Sequence, residues 1–246
     1  MTGDEHVKFN TVEQATYGKR GIATKLKPKY IVRHDILDGY AGSHHHLKDP
    51  MIQFVKHHSG DNDYRAELEQ CIDFINRTTP QGSETLIVPS NHHDHLAQFL
   101  QKASVNEDHT NAIFIAEMQK AMREAALAGE SYDPFYLYAK DRLTCKYRFL
   151  DRNEPFYIYD VDVSQHADVG PNGSRGSARG LAKTPDKMTI AHAHGARIFQ
   201  GVYQVGVSTG RLEYERGLSD HSNTHCLHYK NGKRTLLDII DGRYHA

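Results

Sequence analysis

Apolar residues in this chain come in short runs, and most runs end in a cluster of histidine, aspartate or asparagine. Tyr30-Ile31-Val32 reads as a buried strand that delivers His34-Asp35 at its carboxyl end. Thr85-Leu86-Ile87-Val88 reads as a second strand, stopped by Pro89 and opening into Asn91-His92. Tyr157-Ile158-Tyr159 and Val161-Val163 lead to His166, and Met188-Thr189-Ile190 ends at His192. Between these runs the apolar period lengthens. Residues 63–78 place Leu68, Cys71, Ile72 and Ile75 at helical spacing, and further helices are expected around 95–103 and over 110–128, the last closed by Gly129. The glycine-rich stretch 170–180 predicts a loop opening into a short helix. Beyond it, residues 201–205, 226–227 and 235–237 alternate like antiparallel strands, with Asn231-Gly232 as a turn.

The recurrent order of strand, polar cluster and helix predicts an α/β fold. In open α/β sheets the functional groups gather at the carboxyl ends of strands. No internal repeat and no linker divides the chain, so one domain over 1–246 is expected. With 38% apolar and 25% charged residues, the chain can bury a core and stay soluble. A formal net charge of −1 removes any overall basic field, so phosphate contacts must come from local patches. Cys71, Cys145 and Cys226 are odd in number and form no C-x-x-C, which suits reduced thiols in a cytoplasmic setting. The amino terminus has no apolar signal region, and no apolar run approaches the roughly 20 residues of a membrane span. Histidine, at 18 residues, is the compositional outlier. His44-His45-His46 resembles a tag, yet lies inside the chain.

Each cluster has a chemistry and a plainer alternative. Asp4-x-His6 would present two ligands on one side of an extended segment. Asp35 can bridge two cations with its two oxygens, whereas Asp38 reads better as a helix N-cap. Asn91 offers an amide oxygen, and the adjacent His92 a proton for a leaving oxygen. His93 and His95 compete with His92 for that role. His166 alone would more often be structural, and His192-x-His194 is a frequent ligand pair. Taken together and in this order, the clusters match a two-metal phosphoesterase, in which oxygen and imidazole ligands from separate loops converge.

The series Gly3-Asp4-Glu5-His6, His34-Asp35-Ile36-Leu37-Asp38, Ser90-Asn91-His92, His166 and Ala191-His192-Ala193-His194 resembles the calcineurin-like metallophosphoesterases. Their pattern is D-x-H, G-D-x-x-D, G-N-H-[D/E], H and G-H-x-H. More narrowly, His34-Asp35 with His45-His46, HADVGPNGSRGS and THCLHYKNGKRTL are similar to early host-DNA-degrading proteins of large tailed bacteriophages. The resemblance implies a four-layer αββα sandwich with a dinuclear metal centre. It implies that Asp4, His6 and His194 bind one metal, that Asp35 bridges, that Asn91, His166 and His192 bind the other, and that His92 is the catalytic acid. Manganese is the implied metal, with iron or zinc as alternatives.

This chain departs from the pattern at His34, Ser90 and Ala191, where the family has glycine, and at His93, where it has an acidic residue. Only three residues precede Asp4, so the strand that normally leads into D-x-H is expected to be missing, with Asp4 and His6 mobile. Arg175 and Arg179, with Lys183, are the candidate phosphate contacts, helped by glycine N–H groups. The expected function is a phage DNA nuclease acting in the infected bacterial cytoplasm, with DNA as substrate, no membrane partner and a homo-oligomer left open. A phosphatase of small nucleotides or phosphomonoesters, and a non-catalytic metal-binding protein, are the alternatives.

Overall fold

The computed structural model describes residues 1–43, 46, 49–212, 215 and 217–245. The His44-His45 pair lies outside the described residues. The chain is mixed α/β and divides into two compact units: residues 1–36, 77–90 and 145–246 form the first, and residues 37–76 and 91–144 the second.

The first unit holds all the described strands. Two short helices, α1 (Glu13–Tyr17) and α2 (Ile22–Leu26), precede β1 (Tyr30–Arg33). Strand β1 pairs in parallel with β2 (Glu84–Ile87), and β2 with β3 (Tyr147–Phe149). All four β2 residues are buried, Glu84 and Thr85 included, as befits a central strand paired in parallel on both sides.

The chain ahead of β1 is extended along it, although few of its residues form a regular ladder. Thr2, Glu5 and His6 donate backbone N–H groups to the carbonyls of Val32, His34 and Asp35. On the other side Asp4 donates to Gly206 and accepts from Ser208, and Asp4 bridges Val207 in parallel. Residues 1–6 thus occupy a strand position with partners on both flanks, and Asp4, Glu5 and His6 are fully buried. The expectation of a mobile amino terminus is not met. Gly3 is required here, because a Cβ would lie 2.7 Å from the Gly206 carbonyl oxygen.

A second sheet runs β4 (Tyr157–Ile158), β5 (Val161–Asp162), β6 (Lys187–Ile190), β8 (Val202–Gln204) and β7 (Arg197–Phe199) in spatial order. Strand β6 runs parallel to both β5 and β8, so the expectation of antiparallel pairing from 201 onward fails on that side of β8. Strands β9 (Thr224–His228), β10 (Arg234–Ile240) and β11 (Arg243–His245) do pair antiparallel, around the Asn231-Gly232 turn. Val32, Leu86 and Val88 pack in one apolar cluster with Leu150, Ile158, Val161 and Val163. That cluster sets the β1–β2 sheet against the β4–β5 pair.

The second unit is helical: α3 (Pro50–Ser59), most of α4 (Tyr64–Thr78), α5 (Asn91–Lys102), α6 (Ala112–Ala128) and α7 (Pro134–Ala139). Asp49-Pro50 and Asp133-Pro134 start α3 and α7, each aspartate accepting from backbone N–H groups of the first turn. Leu68, Cys71, Ile72 and Ile75 form the buried face of α4, as their spacing predicts. Gly129 ends α6 in the left-handed conformation, accepted at no steric cost. The short helix predicted after the glycine-rich loop is α8 (Ala178–Leu181), in the first unit.

Candidate metal centre

Four separate stretches of the first unit place acidic and imidazole groups together. The first is the extended segment 1–6, the second the turn after β1, the third the loop after β5 and the fourth the turn after β6. Asp4 and His6 point into the cluster from the first of these. His166 follows a turn shaped by Asp162, whose carboxylate accepts from the N–H groups of Phe156 and Ser164 and from the Ser164 hydroxyl. The N–H of Ala191 then donates to the His166 carbonyl, joining the last two stretches.

Two triads result. Ligand atoms of Asp4, His6 and His194 lie within 4.8 Å of one another, and so do those of Asp4, Asp35 and His166. Asp4 belongs to both. His166 Nε2 is 3.1 Å from an Asp35 oxygen, and its Nδ1 is 3.7 Å from Asp4 Oδ1. His194 Nε2 is 3.8 Å from Asp4 Oδ2, and His6 Nε2 is 3.9 Å from Asp35. His192 joins through its backbone N–H, which donates to Asp4 Oδ2 at 2.9 Å, and through its ring, 5.0 Å from that of His166.

Backbone strain is concentrated here. His6, Asp35, His192 and His194 all have positive φ, between 34° and 75°. Each such residue costs on the order of 1 kcal/mol or more, and persists only where its surroundings over-determine it. His34, Ser90 and Ala191, where the resemblance leads one to expect glycine, behave otherwise and do not have positive φ. In the turns after β1 and β6 the left-handed geometry falls on the neighbouring ligand candidates Asp35, His192 and His194 instead.

The electrostatics favour a cation. Burial, seconded by Asp35, pushes the Asp4 carboxyl above its ordinary range, against the pull of His166, His194 and His6. His166 feels burial as a penalty on its charged form, yet Asp35 and Asp4 outweigh it and raise the imidazole to about 9. Without a cation, the carboxylate pair draws a proton onto His166. Asp4 Oδ1 is buried and accepts no hydrogen bond among the described residues. An orphaned carboxylate oxygen facing imidazoles is costly unless it binds a donor or a cation. Oxygen and nitrogen donors without thiolate suit a divalent metal ion, so these clusters can hold one or more.

Asn91 and His92 belong to the second unit. They form the first turn of α5 rather than a loop after a strand, so that helix begins four residues earlier than its period predicts. His92 Nδ1 lies 2.5 Å from the Asp38 carbonyl oxygen. No helix starts at Asp38, which removes the N-cap reading. His93 is buried against the Phe135 ring, centroids 4.4 Å apart, whereas His92 and His95 are less buried. Arg175 and Arg179 are exposed, and the Arg179 guanidinium lies over the Phe199 ring at 5.6 Å. Sequence reasoning did not assign His34, whose ring stacks on His166 at 5.6 Å, nor Glu215 and His221 beside His194.

Fold and site together define a mixed α/β protein with a buried carboxylate–imidazole cluster able to hold metal ions. The chain is 31% identical over 235 residues to Protein A1 of Escherichia phage T5, a match that covers 92% of this chain and 42% of that protein. It thus spans less than half the length of this phage relative. No family model matches the chain, and no solved structure matches it.

Proposed function

We propose that the protein is a metal-dependent phosphodiesterase of the metallophosphoesterase type, acting on DNA during phage infection. The observation that carries this reading is the convergence of Asp4, His6, Asp35, His166 and His194 in one buried cluster, with His192 attached to it. The packing of the β1–β2 sheet against β4 and β5 supports a stacked-sheet architecture of the αββα kind. Similarity to a phage protein supports the setting. The amino-terminal segment, buried and bonded on both sides, supports a catalytic reading over a non-catalytic metal site.

Asp4, His6 and His194 would hold one cation and His166 and His192 the other, Asp35 lying between. Bound cations, manganese by resemblance, would polarise a phosphodiester and activate water for in-line attack. The chain's own residues do the rest. The His192 N–H fixes the Asp4 carboxylate, and the buried wall of Asp4, His6 and Asp35 keeps bulk water away. The resemblance assigns His92, in the first turn of α5, the role of acid for the departing oxygen. Arg175 and Arg179, exposed on the loop leading into α8, contact backbone phosphates.

The test is cleavage of plasmid DNA with added Mn²⁺, alongside metal titration of the wild type and Asp35→Ala. The variant should bind fewer cations and lose hydrolysis. Retention of both by Asp35→Ala would overturn the dinuclear assignment. In the same assay the Arg175→Ala/Arg179→Ala variant should bind DNA more weakly with a flatter salt dependence, while a small phosphodiester is hydrolysed normally.

A further inference from the structure

His194 is gripped on the side away from Asp4. Its Nδ1 lies 2.6 Å from Glu215 Oε1, while its Nε2 faces Asp4. Glu215 is itself fixed: its Oε2 accepts from the Leu212 N–H at 3.1 Å and lies 3.3 Å from His221 Nδ1. His221 is anchored in turn by Nε2, 3.1 Å from the Thr209 carbonyl oxygen. The carboxylate of Glu215 is 8% exposed and the His194 ring 12%, so water competes weakly for this bond.

His194, Glu215 and His221 could be read as a third cation site, because their ligand atoms lie within 4.8 Å of one another. The 2.6 Å separation argues otherwise. Two donors on one cation are held apart by roughly 3 Å, given metal–ligand bonds of about 2.0–2.2 Å. A separation of 2.6 Å fits a charge-assisted hydrogen bond with the proton on Nδ1. Such a bond settles the tautomer and leaves the Nε2 lone pair aimed at Asp4. It also holds His194 in a left-handed backbone conformation, φ 57°, which the residue would otherwise leave.

We infer that Glu215 is a positioning residue for the metal centre: with His221 behind it, it holds His194 in the Nδ1–H tautomer and presents Nε2 to the cation shared with Asp4 and His6. This rests on the metal reading above. It adds a residue that no ligand motif contains, carried by the stretch after β8.

The experiment compares wild type, Glu215→Gln and Glu215→Asp. Mn²⁺ binding is followed by calorimetry, and the His194 tautomer by ¹⁵N NMR of the side chains in metal-free protein. Thermal melts confirm that the near-isosteric variants stay folded. Removing such a carboxylate partner should weaken Mn²⁺ binding about 10–100-fold. Glu215→Gln, whose neutral amide oxygen is a weaker acceptor, should also lower the population of the Nδ1–H tautomer, and Glu215→Asp should recover part of both. Unchanged affinity and tautomer in Glu215→Gln would overturn the inference while leaving the metal centre standing. No Mn²⁺ binding by the wild type would overturn the metal reading, and the role of Glu215 with it. The wild-type tautomer would then show separately whether the His194–Glu215 bond exists.

Discussion

The bond between His92 Nδ1 and the Asp38 carbonyl, 2.5 Å long, decides which nitrogen of the neutral ring carries the proton. Nδ1–H donates to the carbonyl, so under the proposed function Nε2 would be the nitrogen that exchanges a proton with a substrate. His93, stacked flat on Phe135 and buried, is a packing residue by the same geometry. Burial separates His93 from His92 and His95, which are both half-buried. His92→Ala should retain metal and DNA binding but lose about 10²–10⁴-fold in cleavage rate, with a smaller loss on a substrate whose leaving group needs no proton. Single-turnover kinetics check this, and a larger loss in His93→Ala or His95→Ala would move the role. Legibility at this scale followed chemistry. Asp4, His6, Asp35, His166, His192 and His194 could be named because ligand types sat at strand ends in a recognisable order. Glu215 could not, since a glutamate in the charged stretch 211–216 matches no ligand spacing. His34 was seen only as a missing glycine, although its ring lies against His166.

The decisive element is the extended amino-terminal segment. A buried network locks it to β1: Arg33 Nη1 contacts both Glu5 oxygens at 2.9 and 3.0 Å, and Tyr17 donates its hydroxyl to the same carboxylate. Arg33 also donates to Thr78. Deleting one partner of such a buried pair typically costs about 3–5 kcal/mol. Glu5 lies between Asp4 and His6, so the network fixes both candidate ligands. A second lock is His225 on β9, whose Nδ1 accepts from the Gly3 N–H at 2.9 Å while Nε2 meets the Thr16 hydroxyl at 2.8 Å. Burial lowers this imidazole to about 3, so it is neutral in the fold and takes up a proton on unfolding below its ordinary value of 6.5. The stability it contributes is therefore full above pH 6.5 and is lost as pH falls from there toward 3. Urea midpoints should drop across that window, and His225→Gln should show a shallower drop than wild type. Equal pH slopes would show that His225 does not act this way. Nothing in MTGDEHVKFN predicts a strand, because its order comes from partners distant in sequence. Helices α4 and α6, made by local periodicity and a glycine stop, were legible almost to the residue. The parallel β6–β8 pairing was not, since alternation reports which face is buried and not which way a neighbour runs.

Over the whole molecule, the chain passes between its two compact units at residues 36–37, 76–77, 90–91 and 144–145. None of these crossings is a Gly, Pro or Ser-rich linker, and one falls inside α4, so composition gave no sign of the division. Five helices of the second unit arise from two segments that follow β1 and β2, the same strands whose ends supply Asp35 and precede Asn91. Among the described residues no helix is long and apolar enough to cross a membrane. The central claim is that the buried carboxylates and imidazoles of the first unit exist to hold divalent cations. An anomalous difference map from crystals of the full chain grown with Mn²⁺ tests it most directly. The account predicts peaks at the two triads, one at Asp4, His6 and His194 and the other at Asp4, Asp35 and His166. Crystals in millimolar Mn²⁺ that show no peak at either triad, with side chains placed as described here, would contradict it.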